Sequence, residues 1–278
     1  MLPVPMPSVQ SVLDPRWCSA QATWRERRRF QETAHTLIRL PESGVDPWDC
    51  LLTEETWRRL APPGEQEETV LTALSQTTGI YFFPSREWVG TFCRFVQLLR
   101  VRRVLEAGAG RGYLAAVLAP WLSRQGIDFQ AIDCAQGEFE SGLPRHPVVV
   151  TGDAFAEVEA FRPDLVLSAW PPPGQSIAPF CHCASVRYVV FIGEAGGGCT
   201  GDPADWHRFR HRSLPFLSRF GVGRSGRQRQ DVTVFFGAAS QNFWKIAEIR
   251  DRRAKRQSVS RLSDLHDKMP QTIMASER

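Results

Sequence analysis

Residues 104–119 read Val104-Leu-Glu-Ala-Gly-Ala-Gly-Arg-Gly-Tyr-Leu-Ala-Ala-Val-Leu-Ala119, an apolar pair, three alternate glycines and an amphipathic run. Val104 and Leu105 read as the end of a buried strand, and Tyr113 to Ala119 as the first turns of a helix. Gly108, Gly110 and Gly112 fill the turn between them. Lacking a Cβ, glycine lets a backbone take positive φ and lets a ligand approach it. A strand, a glycine turn and a helix N-terminus in that order therefore suit a nucleotide-like ligand.

Working outward, short apolar runs alternate with helical patterns. From about residue 86 the spacing predicts a helix over 87–99, a strand over 103–106, a helix over 113–124 and strands over 128–133, 147–151, 164–169 and 188–193. A helix over 204–216 and a strand over 231–236 complete the series. Such alternation argues for a mostly parallel α/β sheet covered on both faces. Before it, the stretch TWRERRRFQETAHTLIRL has helical spacing, and two more helical stretches lie between Pro47 and Ser75, parted by Ala61-Pro62-Pro63-Gly64.

Composition bounds the class. The 278 residues suffice for one sizeable α/β domain with appendages. Prolines interrupt the opening MLPVPMPSVQ where a signal peptide needs an unbroken apolar core, and no apolar run reaches membrane-spanning length, so the expected location is cytoplasmic. Seven scattered cysteines fit reduced thiols. Residues 241–278 hold nine basic and five acidic residues, a surplus of four equal to the whole net charge of +4. This tail reads as a short basic helix, roughly 242–257, and a polar stretch, either solvated or an arm for nucleic acid or protein. The expected organisation is a partly helical extension with an unstructured front (1–79), a cofactor domain (80–240) and the tail (241–278).

The glycine turn excludes one reading. A dinucleotide fingerprint has a third glycine where Tyr113 stands. Instead, Glu106-Ala-Gly108-Ala-Gly110-Arg-Gly112 resembles the first motif of class I S-adenosylmethionine-dependent methyltransferases. The resemblance extends over about residues 80–236. DFQAIDCA ends in Asp133, where the family places an acid for the ribose hydroxyls; two carboxylate oxygens suit two neighbouring hydroxyls. VVVTGDAF ends in Gly152-Asp153-Ala154, similar to the segment contacting adenine. Phe155 or Phe129 packs either against adenine or in the core. DLVLSAWPPPG fits the strand approaching the reacting methyl, and SRFGVGRSGRQRQDVTVFFGA reads as a hairpin bringing an antiparallel strand into the sheet.

The resemblance implies a doubly wound, seven-stranded sheet with S-adenosylmethionine held by Glu106, Gly108, Gly110, Gly112, Asp133, Asp153 and Ala154. Asp133 and Asp153 also read as ordinary strand-terminal caps.

The acceptor side offers fewer signals. Ser168-Ala-Trp170-Pro171-Pro-Pro-Gly174 lacks the register of the [D/N/S]-P-P-aromatic motif of amino-methyltransferases. A proline-fixed loop with one aromatic face nonetheless suits a substrate wall, so Trp170 and Pro171 are expected to line it. Tyr81 is expected to close over the cofactor or to pack in the core. Glu194 ends a strand where open sheets bind ligands, and His207 titrates near neutrality. These two are the candidate catalytic groups, a surface histidine being the alternative for His207. Cys181-His182-Cys183 is tighter than zinc spacing, so no metal is expected.

The expected function is methyl transfer from S-adenosylmethionine to the O, N or S of a small molecule by in-line attack. Alternatives are an RNA or protein methyltransferase anchored by the basic tail, and a non-catalytic binding protein or partner subunit with the same fold.

Overall fold

The computed structural model describes residues 13–19, 21–42, 44–134, 136 and 142–240. The described residues to Ala239 form one compact unit. The basic tail and its expected helix lie outside the described residues.

The chain opens with helices. A short 3-10 turn over Pro15–Cys18 precedes α1 (Trp24–Leu37), whose start is fixed by reciprocal bonds between Thr23 and Glu26. After a second 3-10 turn at Pro47–Cys50 come α2 (Glu54–Leu60) and α3 (Glu67–Thr78). The strand β1 (Phe82–Pro84) leads into α4 (Arg86–Leu99), where Ser85 Oγ accepts the Trp88 amide at 3.0 Å.

The sheet region then runs β2 (Arg103–Ala107), α5 (Tyr113–Arg124), β3 (Asp128–Asp133), β4 (Val149–Thr151), α6 (Ala154–Phe161), β5 (Leu165–Ala169) and α7 (Ala178–His182). It ends with β6 (Tyr188–Glu194), α8 (Asp205–Arg208), β7 (His211–Ser213), α9 (Pro215–Ser218), β8 (Gly221–Gly223) and β9 (Gln230–Phe236). Seven strands form one sheet in the order β4-β3-β2-β5-β6-β9-β7, in which β9 alone runs against the rest. Strand β6 is buried at all seven positions, as a central strand covered on two faces must be.

One face carries α6 and α7 over a core that includes Leu105, Val166, Phe180, Val189 and Phe235. Helices α4, α5 and α9 form the other group. The chain steps outward from β2 to β4 and then returns to β2's other side with β5. That reversal is the switch point outside which open α/β sheets bind ligands.

Two expectations fail here. The helix expected over 204–216 is only α8, after which the chain extends as β7 and pairs with β9. Helix α8 ends at Phe209, whose backbone is extended (φ −112°, ψ 141°), and Pro215 separately disfavours helix at the preceding Leu214, which sits at φ −115°, ψ 74°. The expected hairpin also differs. Residues 221–223 do not flank β9 in the main sheet but pair with β1 as a separate two-stranded sheet, and β9's neighbours are β6 and β7. That small sheet ties the segment after α3 to the loop between β8 and β9.

The same loop is fastened again by charge. Arg227 is nearly buried between Glu54 of α2, 3.4 Å away, and Glu67 of α3, and also donates to the Ala61 carbonyl at 2.9 Å. Burial raises the Glu54 pKa against the lowering effect of Arg227 and Arg58.

Candidate functional site

At the switch point lies a cavity of about 440 Å³, built from the ends of β2, β3 and β5, the start of α6, and Tyr81. The three glycines after β2 all have positive φ (72°, 54° and 81°) but for two different reasons. A Cβ at Gly112 would run into the Val149 side chain, so that glycine lets β4 close against the turn. A Cβ at Gly108 or Gly110 would meet nothing within 4 Å. Their open side belongs to the cavity, a cradle whose backbone a ligand can approach directly.

The turn is pinned to the neighbouring strand. The Gly108 and Ala109 amides both donate to the Ile132 carbonyl, at 2.9 and 3.0 Å, and the Gly110 amide donates to Asp133 Oδ2 at 2.7 Å. Asp133 Oδ1 faces Arg145 at 3.4 Å. Its carboxylate thus stands at the cavity wall with an orientation set by the glycine turn itself. Arg145 went unnoticed in the sequence, since a lone arginine twelve residues past Asp133 in an irregular loop carries no pattern.

Glu106 is 2% exposed and lines the cavity. Burial first, and the neighbouring Asp133 second, push its carboxyl up to about 8. Among the described residues its Oε2 has no hydrogen-bond partner. A buried acid with an orphaned oxygen beside a ligand cavity is prepared for a cationic donor.

Asp153 caps α6, accepting the Phe155 amide at 2.9 Å, and both it and Ala154 line the cavity. Phe155 also lines it while stacking on Phe180 with ring centroids 5.0 Å apart.

On the acceptor side, Trp170 and Pro171 line the cavity, as does Tyr81, whose ring centroid is 6.1 Å from that of Trp170. Trp170 is held in left-handed backbone (φ +55°). Its amide donates to the Ile192 carbonyl at 2.7 Å, and its Nε1 to Gln230 Oε1 at 3.0 Å. A bulky residue in this backbone region is strained.

Beyond that wall is a second cavity of about 340 Å³, sharing Tyr81, Trp170, Pro171 and Pro172 with the first. Its other lining residues include Thr72 of α3, Glu194, Arg224 and Ser225. Glu194 Oε2 accepts the Cys199 amide at 2.8 Å and Oε1 accepts the Ser225 hydroxyl, so the carboxylate ties the glycine-rich loop to the β8–β9 loop.

His207 is exposed on α8 and lines neither cavity. The structure brings the other candidates to the two cavities and leaves His207 apart, and Gly112, expected to bind the cofactor, lines neither cavity but packs against Val149. Cys181 and Cys183 are buried in the α7 core, and no group among the described residues could hold a metal ion.

Residues 73–137 match the family of protein-L-isoaspartate(D-aspartate) O-methyltransferases. No curated protein matches the chain. Among solved structures, the chain is similar to an O-methyltransferase family protein from Burkholderia thailandensis at 10% identity, over 80% of this chain and 75% of that one, with a TM-score of 0.37. It is also similar to human N-acetylserotonin methyltransferase, solved with S-adenosylmethionine, at 11% identity over 77% and 67%, with a TM-score of 0.34.

The strand order with its single reversed strand is that of the class I S-adenosylmethionine-dependent methyltransferase fold, and the family match over residues 73–137, across the glycine turn, supports that superfamily. The cleft fits that cofactor: the Gly108–Gly110 cradle is open, Asp133 stands at the end of β3, and Glu106 lacks a partner for a buried oxygen. No helix among the described residues is long and apolar enough to cross a membrane.

Proposed function

We propose that the protein transfers a methyl group from S-adenosylmethionine to an O, N or S atom of a small molecule. The observation that carries this reading is the second cavity, which meets the first along the Tyr81–Trp170–Pro171–Pro172 wall and has the volume of a small-ligand pocket. Seven free cysteines support a cytoplasmic setting.

When bound, the cofactor supplies an electrophilic methyl on a sulfonium sulfur. Glu106 would accept from its amino group, Asp133 from its ribose hydroxyls, and the Gly108–Gly110 backbone would lie against it. Ala154 and the Asp153-capped start of α6 would border its base. Trp170, Pro171 and Tyr81 would exclude water and hold the acceptor in line with the methyl, and alignment of this kind alone supplies a large share of such a barrier. Glu194 is a carboxylate of the second cavity, and an acceptor that must lose a proton would lose it there or to water.

Isothermal titration with S-adenosylmethionine and S-adenosylhomocysteine, on the wild type and on Asp133→Ala, tests the first half of the reading. Micromolar binding that weakens at least tenfold in the variant supports it. Folded protein that binds neither overturns it. Turnover in a screen of small acceptors, against none with RNA or protein extracts, tests the second half.

A further inference from the structure

Three arginines lie on the loop between β8 and β9, and two are matched by acids of the helices facing them. Arg227 takes Glu54 and Glu67, and Arg229 pairs with Glu68 at 3.3 Å. Arg224 is the exception. Its backbone is fixed on both sides, the amide donating to the Tyr81 carbonyl at 2.9 Å and the carbonyl accepting the Thr72 hydroxyl at 3.4 Å. Its guanidinium lies 5.6 Å from the Tyr81 ring centroid, half-buried in the wall of the second cavity. Among the described residues no carboxylate or side-chain acceptor engages it.

The other charges of that cavity are already committed. Glu194 accepts from Cys199 and Ser225, and Glu68 faces Arg229. The guanidinium fork is therefore the group left to an occupant. Its five donors fit a carboxylate or phosphate edge, and the Tyr81 ring beside it favours the cation. The apolar part of the remaining wall is the Trp170 ring and the prolines from Pro171 to Pro173.

Resting on the acceptor reading above, we infer that the acceptor is an aromatic acid whose anionic group is held by Arg224. Its ring lies along the Trp170–proline wall, and its nucleophilic atom is at the end remote from the anion, toward the first cavity. Arg224 is then a specificity residue, selecting the substrate without touching the transferred methyl.

The test uses the full chain saturated with S-adenosylhomocysteine. Binding of 4-hydroxybenzoate, 4-hydroxybenzamide, phenyl phosphate and inorganic phosphate is followed by saturation-transfer NMR and titration, in the wild type, Arg224→Gln and Arg224→Lys. An aromatic acid should bind at least tenfold more tightly than the amide and than inorganic phosphate, and the tighter of the two acids names the anion. Arg224→Gln should erase the preference, Arg224→Lys should keep part of it, and neither should change S-adenosylhomocysteine affinity. Equal binding of acid and amide, no binding of any probe, or a preference surviving in Arg224→Gln overturns the inference. Failure of S-adenosylhomocysteine to bind at all is a different result, because it removes the cofactor reading itself.

Discussion

The indole of Trp170 donates to the side-chain carbonyl of Gln230 across 3.0 Å, joining the end of β5 to the start of β9 beside the ligand cavities. Through this bond a tryptophan keeps a left-handed backbone that ordinary side chains avoid.

That strain orders two variants. Trp170→Ala and Trp170→Gly both lose the ring and its hydrogen bond, but only glycine relieves the backbone. Relief is worth about 1–2 kcal/mol, and glycine's looser unfolded chain takes back about 0.4–1 kcal/mol. Urea denaturation should find the glycine variant at least as stable, by up to about 1.6 kcal/mol. An alanine variant more stable than the glycine variant would show that no strain is stored there.

The glycines of the turn should separate by phenotype. In Gly112→Ala the new methyl meets Val149 and the backbone cost is added to the clash, so stability should fall by about 2–5 kcal/mol. In Gly110→Ala the methyl points into open space, so the stability loss should stay near the backbone cost of about 1–2 kcal/mol. Its S-adenosylhomocysteine affinity should drop about tenfold or more, roughly 1.4 kcal/mol. Thermal melts and titration on both variants check this, and an affinity loss confined to Gly112→Ala would contradict it.

Glu106 makes stability depend on pH with a definite sign. Its folded carboxyl, at about 8, stands above its ordinary value of 4.5. Between those values the native state keeps a proton that the unfolded chain has lost, so ligand-free stability falls as pH rises and levels off above about 8. Urea midpoints of the wild type relative to Glu106→Gln should decline from pH 5 to 8. A constant difference would refute the assignment. An ammonium partner favours the ionised form, so S-adenosylhomocysteine binding near pH 7 should release a proton, detectable as a buffer-dependent titration heat that Glu106→Gln lacks.

Two thiols can report separately on the two cavities. Cys134 and Cys199 are exposed, and line the first and second cavity respectively. Burial pushes the Cys93 and Cys181 thiols up to about 12, which keeps them unreactive. Alkylation mapped by mass spectrometry should therefore label Cys134 and Cys199 first. S-adenosylhomocysteine should slow labelling at Cys134 more than at Cys199. Equal protection at both would mean that the ligand does not sit where the glycine turn indicates.

The sheet was readable because its strands are buried on two faces and stand out as apolar runs, β6 above all. The glycine turn and Glu106 were readable because they are neighbours in sequence, and Asp133 because it ends the next strand, 23 residues from the Gly110 amide that it accepts. Stretch 204–216 misled because its apolar spacing suits a helix while Pro215 forbids one across Leu214. The acceptor side was hidden for another reason. Thr72, Trp170 and Arg224 meet only through the pairing of β1 with β8, and a three-residue strand such as β1 leaves no periodic trace. Gln230 likewise gains its part only from a contact sixty residues away in sequence.

The buried meeting of Glu54, Glu67 and Arg227 bears on how such an enzyme can be recombined. A chimera that took its opening helices from one parent and its β8–β9 loop from another would strand a nearly buried guanidinium opposite foreign side chains, a cost of several kcal/mol. Segments some 160 residues apart in the sequence must therefore be exchanged together.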